Sequence, residues 1–310
     1  MSKCIKHRLT VHSTVFRKYF YLHCTPLNNC IHYYLWSLLM PRKFAVVTTF
    51  HEAGLKQYGQ KMIDSFEKNW SGDVKLYVYA EDCSPTKTKD NVVIRDLMGT
   101  GFIAQFKTKW KNVPKANGLD NPKHRLDSNK NFKWDAIRFC HKVYAIFDAA
   151  KSVEADVLIW MDADTVCHSP MATDFLEKFI PEDTHISYFG REPKWPECGW
   201  YSMNLRDDMT KRFLSRFQWV YDHAEEGIFT MKEWHDSFVF YEIVKEFRRI
   251  PGWKEHNLSR PGFSGEGHPI INSDLGAYID HLKGGRKAKG ISERKDLKVQ
   301  RTEDYWKKLS

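Results

Sequence analysis

The chain reads as an α/β protein with a central, mostly parallel sheet flanked by helices. Three observations predict it. Short apolar runs alternate with amphipathic segments from residue 41 onward. Val157-Leu158-Ile159-Trp160-Met161 is five apolar residues in a row, the pattern of a central strand covered on both faces. The length of 310 residues, 42% of them hydrophobic, is ample for a full core.

Taken in order, Lys43 to Thr49 reads as a buried strand. Gly54 to Trp70 follows as a helix, with Tyr58, Met62, Ile63 and Phe66 on one face. Val74 to Ala80 and Asn91 to Asp96 are the next two strands. Residues 97–132 are polar and rich in Gly, Asn and Lys, and read as a long functional loop. Trp134 to Ser152 is a helix, with Ile137, Val143, Ile146, Phe147 and Ala150 in register. Ser169-Pro170 has the form of a helix cap and first residue. Thr184 to Phe189 and Gly199 to Leu205 read as strands. Asp208 to Glu226 and Met231 to Arg248 read as helices, and a short helix is expected near Asp274 to Leu282.

Composition excludes several classes. Aromatics at 15% exclude a disordered chain. A mean hydropathy of −0.56, with no apolar run of membrane-spanning length, excludes a polytopic membrane protein. The net charge is +9. Five cations and no acid lie in 1–40, and ten cations against four acids in 283–310, which leaves 41–282 at −2. Two basic ends on a slightly acidic body do not form a compact nucleic-acid-binding face. Seven cysteines, at 4, 24, 30, 83, 140, 167 and 198, include no CxxC pair. Reduced thiols in a cytoplasmic setting are the expectation. Residues 1–40 lack helical or strand period and read as a poorly ordered leader before a single domain at 41–310. Their best apolar stretch, Ile31 to Met40, is about half a spanning helix, so a short signal anchor is the lesser alternative.

The sharpest chemical feature is Asp162-Ala163-Asp164, directly after the five-residue apolar strand. Open α/β sheets deliver ligands at the carboxyl ends of their strands. Two carboxylates one residue apart can converge there on a divalent cation that bridges phosphate oxygens. An acidic turn capping the next segment is the structural alternative. The second feature is His281-Leu282-Lys283-Gly284-Gly285-Arg286-Lys287, of the form HxxGxxK. An imidazole added to carboxylates favours Mn²⁺ over Mg²⁺. A glycine lets backbone approach a phosphate, and a lysine supplies a point charge.

Together these motifs resemble the GT-A, Rossmann-like nucleotide-sugar glycosyltransferases, most closely family 8, which includes glycogenin. The resemblance spans roughly Phe44 to Lys287, and its two specific motifs are the acidic turn and HxxGxxK. It implies metal ligation by Asp162, Asp164 and His281, and diphosphate binding by Gly284 and Lys287, with Arg286 nearby. It implies a nucleotide-binding first strand and loop including Thr48, Thr49 and Tyr58. Lys142, and one turn before it Arg138, stand where the family carries a cation reaching the donor. His235-Asp236-Ser237 resembles the family's Asp-Gln pair beside the anomeric carbon, with Ser237 in place of Gln. Asp236 is then a general base of an inverting enzyme, a sugar-binding group of a retaining one, or a helix N-cap. Cys198-Gly199-Trp200-Tyr201 resembles the strand lining the donor sugar, with Glu197 and Cys198 replacing Asn and Ser. Trp200 and Tyr201 stack on a sugar there or belong to the core.

The resulting expectation is a metal-dependent hexosyl transfer from a UDP-sugar, retaining rather than inverting, with the acceptor entering over the 97–132 loop and the 206–260 helices. The acceptor class, carbohydrate, protein, lipid or nucleic acid, is open, as is the oligomeric state. The alternatives are a basic nucleic-acid or anionic-surface binding protein and a nucleotidyltransferase. The latter lacks support, because Thr48 to Gly54 has no basic, glycine-rich phosphate loop.

Overall fold

The structure is a computed structural model and describes residues 41–119, 131–261 and 267–309. The expected leader therefore lies outside the described residues. Strand β1 (Phe44–His51) is rich in β-branched and aromatic residues and is almost wholly buried. His51 then caps a helical run, its Nδ1 accepting from the Gly54 N–H at 3.0 Å. A π-turn over Leu55–Gly59 follows before helix α1 (Gln60–Asn69). A Cβ on Gly59 would lie 2.9 Å from the Phe50 ring, so glycine lets this turn pack against β1.

Strands β2 (Lys75–Glu81) and β3 (Val92–Asp96) continue in parallel from β1. Helix α2 (Phe102–Trp110) occupies part of the expected 97–132 loop. Its buried Ile103 and Phe106 are spaced i, i+3, a helical period diluted by the lysines and glutamine between them. Helix α3 (Ala136–Ser152), capped by Asp135, leads into β4 (Val157–Met161). β4 is buried along its whole length. Leu158 and Trp160 belong to the core on one face, and Val157, Ile159 and Met161 to the core on the other.

Strand β5 (Thr165–Cys167) follows the acidic turn, and α4 (Thr173–Phe179) follows β5. Ser169-Pro170 does not open that helix. Met171 instead bridges to Trp70, and the helix starts after Ala172 without a side-chain cap. Strands β6 (Ile186–Arg191) and β7 (Lys194–Asn204) form an antiparallel pair. Trp200 and Tyr201 lie in β7, buried in opposite cores, so both are core residues. Helices α5 (Asp208–Asp222) and α6 (Asp236–Phe247) and strand β8 (Glu255–Asn257) complete the main layers. α6 begins five residues later than expected, after a 3₁₀ turn at Ile228–Thr230.

The expected helix near Asp274 to Leu282 is replaced. After α7 (Pro269–Asn272) comes a 3₁₀ turn, Asp274–Ala277, and then strand β9 (Ile279–His281). Pairing with β5 decides this, since three residues are too few to show a period of their own. The short helices α8 (Arg286–Lys289) and α9 (Asp304–Lys307) follow. The basic carboxyl-terminal segment is built into the fold. Arg286 pairs with Asp296, Lys289 with Glu293 and Lys307 with Asp304. Arg301 donates to the Ile271 and Ser273 carbonyls, and Trp306 Nε1 donates to the Gly276 carbonyl at 2.8 Å.

The main sheet has seven strands in the order β3-β2-β1-β4-β7-β6-β8. Pairs β1–β2, β2–β3, β1–β4 and β6–β8 are parallel, and β4–β7 and β6–β7 antiparallel. β5 and β9 form a separate two-stranded sheet. The chain winds outward from β1 through β3 and returns to place β4 on the other side of β1. That reversal opens a crevice at the carboxyl ends of β1 and β4. Cys83, Cys140, Cys167 and Cys198 are free thiols. Among the described residues, no helix is long and apolar enough to cross a membrane.

Candidate active site at the carboxyl ends of the central strands

A cleft of about 940 Å³ occupies this crevice. Thr49, Tyr58, Arg138, Lys142, Asp162, Asp164, Asp236, His281, Gly284 and Lys287 all line it. Of the residues singled out in the sequence, Thr48 is not on its wall. It is buried in β1, one position out of phase with Thr49, and successive strand side chains point to opposite faces. Thr49 spends its hydroxyl on the Tyr79 carbonyl at 2.7 Å, so it supports the wall through β2. Arg286 points its guanidinium at Asp296 and is likewise not on the wall.

Each element places its residue for a physical reason. Asp162 leaves β4 with its N–H donating to the Gly199 carbonyl at 2.8 Å. The β5–β9 ladder sets His281 opposite Thr165, next to Asp164. The Leu282 N–H donates to the Asp164 carbonyl at 2.8 Å and closes that register. His281 Nε2 thus lies 3.2 Å from Asp164 Oδ1 and 3.5 Å from Asp162 Oδ2. One ligand atom from each of these residues falls within 4.8 Å of the others. A Cβ on Gly199 would lie 2.3 Å from His281 Cε1, so only glycine leaves room for the imidazole.

The charges interlock. Burial opposes a charged His281, but the Asp164 and Asp162 carboxylates outweigh it and push its pKa up to about 10. Burial likewise opposes a charged Asp162, yet Lys142 and His281 hold it well below the usual carboxylate range. Lys287 Nζ sits 2.8 Å from Asp164 Oδ2 and 4.9 Å above the centre of the Tyr58 ring. Tyr58 reaches this point from the π-turn, and burial raises its pKa. Gly284 adopts φ +56°, and a Cβ there would meet nothing within 4 Å. Glycine is needed at this position for its backbone, and the space before it is open.

Lys142 joins the acidic turn to α6. Only 7% exposed, its Nζ lies 3.2 Å from Asp162 Oδ1 and 2.7 Å from Asp236 Oδ2, and it donates to the Cys198 carbonyl. It also sits 4.7 Å above the Trp160 ring. Asp236 is not the N-cap. His235 fills that position, and Asp236 is the first residue of α6.

Several lining residues were given no role from the sequence. Glu197 is buried against Lys283 and Arg191, and its carboxyl is held well below the usual range. It ties the 282–287 loop to β7. Glu81, at the end of β2, pairs with His141 at 2.5 Å and with Lys107. Burial works against this carboxylate, but the two partners lower its pKa to about 2. Trp195, His235, Phe132 and Phe139 form an aromatic end to the cleft. Only the departure at Glu197 and the lysine inside HxxGxxK could have pointed to any of these.

Solved structures similar to this chain include glycosyltransferases. Mouse xyloside xylosyltransferase 1, in its apo form, is 13% identical over 77% of this chain and 97% of its own, with a TM-score of 0.42. The WbbM bifunctional glycosyltransferase is 10% identical over 71% of this chain and 39% of its own, with a TM-score of 0.41. A glycosyltransferase involved in glycosylation of the major capsid of PBCV-1 is 12% identical over 80% and 98%, with a TM-score of 0.40. No protein-family model matches the sequence, and no curated protein does.

Proposed function

We propose that residues 41–310 form a metal-dependent glycosyltransferase that moves a sugar from a nucleotide-diphosphate sugar to an acceptor hydroxyl. One observation carries the reading. Two carboxylates, an imidazole and a lysine ammonium, drawn from distant parts of the chain, converge at the switch point of the sheet. The donor set fits a divalent cation, held by Asp162, Asp164 and His281. Carboxylate plus imidazole suits Mn²⁺, with Mg²⁺ the alternative. Bound there, such an ion supplies positive charge to the diphosphate of the donor.

The chain's own residues account for the rest. Lys287 neutralises the departing diphosphate, and Gly284 lets it approach the backbone. Tyr58, Thr49 and Arg138 line the nucleotide side. Lys142 holds Asp162 and Asp236 in fixed relation beside the reacting centre. In the transfer, the bond from the anomeric carbon to the diphosphate oxygen breaks and its electron pair goes to that oxygen. A bond from the acceptor oxygen to the anomeric carbon forms. The acceptor's proton passes to the departing phosphate oxygen in the retaining route, or to Asp236 in the inverting one. We favour retention, with Asp236 binding the sugar, because its Oδ2 is already engaged by Lys142. Uridine is the nucleoside the family resemblance implies. The free thiols accord with a cytoplasmic setting.

Donor hydrolysis tests this without an acceptor. The chain is mixed with a panel of nucleotide-sugars and Mn²⁺, Mg²⁺ or EDTA, and released nucleotide is counted. Metal-dependent release from one donor, lost in Asp164→Asn, is expected. Asn keeps the side-chain volume, so the melting temperature without ligand should change little. No release and no thermal shift with any nucleotide plus metal would overturn the reading.

A further inference from the structure

The cleft has two chemically different ends. At one, Lys287, Gly284 and Tyr58 offer charge and open backbone. From there Asp164, His281, Asp162, Lys142 and Asp236 form a continuous chain of ion pairs across the floor. The chain ends beside His235, where the character changes to aromatic.

His235 is the hub of that end. Its Nδ1 accepts from the Phe238 N–H at 3.3 Å, so the neutral ring carries its proton on Nε2 and donates to Glu233 Oε2 at 3.1 Å. Rings gather around it. The Trp195 ring centre lies 4.6 Å away, Phe132 5.6 Å and Phe139 6.1 Å. Lys133 Nζ lies 5.1 Å over Trp195 and reaches Glu233 Oε1 at 3.2 Å. Phe132 is 46% exposed, one of the few large apolar side chains left to solvent among the described residues. An exposed aromatic surface lining a catalytic cleft is more readily explained by a ligand than by packing.

We infer that this end is the acceptor subsite and that it takes the pyranose ring of a carbohydrate, seated on Trp195 and Phe132. The inference rests on the transferase reading above and names its acceptor class. A pyranose has an apolar C–H face, which aromatic rings desolvate, and a rim of hydroxyls, which require polar partners. Ser237 lines the same end, next to Asp236 on the donor-sugar side, and provides one. The nucleophile must be a hydroxyl close to Asp236 and Lys142, and a sugar seated on the platform presents one.

The test uses the full chain, Trp195→Ala, Trp195→Phe and Phe132→Ala. UDP-glucose, UDP-galactose, UDP-xylose and UDP-N-acetylglucosamine serve as donors with Mn²⁺. Maltose, lactose and cellobiose serve as acceptors, beside a Ser/Thr peptide mixture and a single-stranded oligonucleotide. At least one disaccharide should accelerate UDP release. Trp195→Ala should raise the KM for that acceptor about tenfold and the KM for the donor far less. Trp195→Phe should restore most of the loss. Phe132→Ala, at an exposed position, should shift the acceptor KM in the same direction without threatening the fold. Donor hydrolysis that only the peptides or the oligonucleotide accelerate, or that no acceptor changes, overturns the inference and leaves the transferase reading standing. A Trp195→Ala effect confined to the donor KM also overturns it. Absence of metal-dependent release from any nucleotide-sugar, with no thermal shift from any nucleotide plus metal, overturns the transferase reading itself.

Discussion

The absence of a single methyl group at Gly199 permits the arrangement of Asp162, Asp164 and His281. A Cβ there would lie 2.3 Å from the imidazole, so His281 would have to leave its place beside the two carboxylates. Gly199→Ala should therefore abolish the thermal stabilisation expected from Mn²⁺, although it leaves Asp162, Asp164 and His281 unchanged. A variant that keeps that stabilisation would show the imidazole is not needed where it sits. Lys287 makes a different prediction. Its ammonium faces Asp164 and the open space before Gly284, where a diphosphate would lie. Lys287→Ala should weaken binding of UDP more than that of UMP, read by calorimetry with Mn²⁺ present. Equal losses would remove its role in holding the diphosphate.

At the scale of elements, the β5–β9 ladder matters most. Three residue pairs carry His281 to the acidic turn. That short ladder is held from behind by Asp280, fully buried, which accepts from the Ser292 N–H at 2.8 Å, the Ser292 hydroxyl at 2.5 Å and the Tyr305 hydroxyl at 2.9 Å. Asp280→Ala strands these donors, at a cost of about 1–3 kcal/mol for each one left buried and unpaired. It should lower the melting temperature and weaken Mn²⁺ binding together. A lowered melting temperature with unchanged metal affinity would mean that β9 keeps its register without this anchor. The π-turn at Leu55–Gly59 plays the corresponding part at the end proposed to take the nucleotide, since Tyr58 reaches the cleft from it.

Across the whole molecule, buried histidines set an optimum of pH. His281 has a pKa of about 10 in the fold against 6.5 unfolded, because its carboxylate neighbours outweigh burial. Its stabilisation is complete below about pH 6.5 and is lost as pH rises through about 10. His168 and His268 are depressed by burial to about 4 and about 3. The unfolded chain takes up protons that these two refuse in the fold, so stability falls as pH drops below about 6.5. Glu81, lowered to about 2, adds to the same acid limb, because its contribution is present above 4.5 and is lost as pH falls through about 2. In EDTA the melting temperature should peak near pH 6–7. Mn²⁺ should flatten the alkaline decline, because a cation held by Asp162, Asp164 and His281 would take the place of the proton on the imidazole. A melting temperature in EDTA that rises steadily to pH 9 would mean that His281 is not charged in the fold.

The sequence alone determined the parts with a local signature. The β1, β2 and β4 runs, the amphipathic helices and the Asp-x-Asp turn each carry their pattern within a dozen residues, and burial period is a short-range property. The cluster of Asp162, Asp164 and His281, proposed above to hold the cation, was legible because a strand end and a short spaced motif mark its members. Tertiary structure decided the rest. It made β9 a strand, because β5 was available to pair with it. It made α2 a helix, because two apolar residues among lysines found a core to enter. It turned Trp200 and Tyr201 inward, moved Thr48 off the cleft wall, and gave the N-cap of α6 to His235 rather than Asp236. It also assembled the Glu197–Arg191–Lys283 cluster and the Trp195 platform, whose members come from separate segments. Such contacts depend on which elements become neighbours, and long-range packing fixes that choice while local pattern leaves it open.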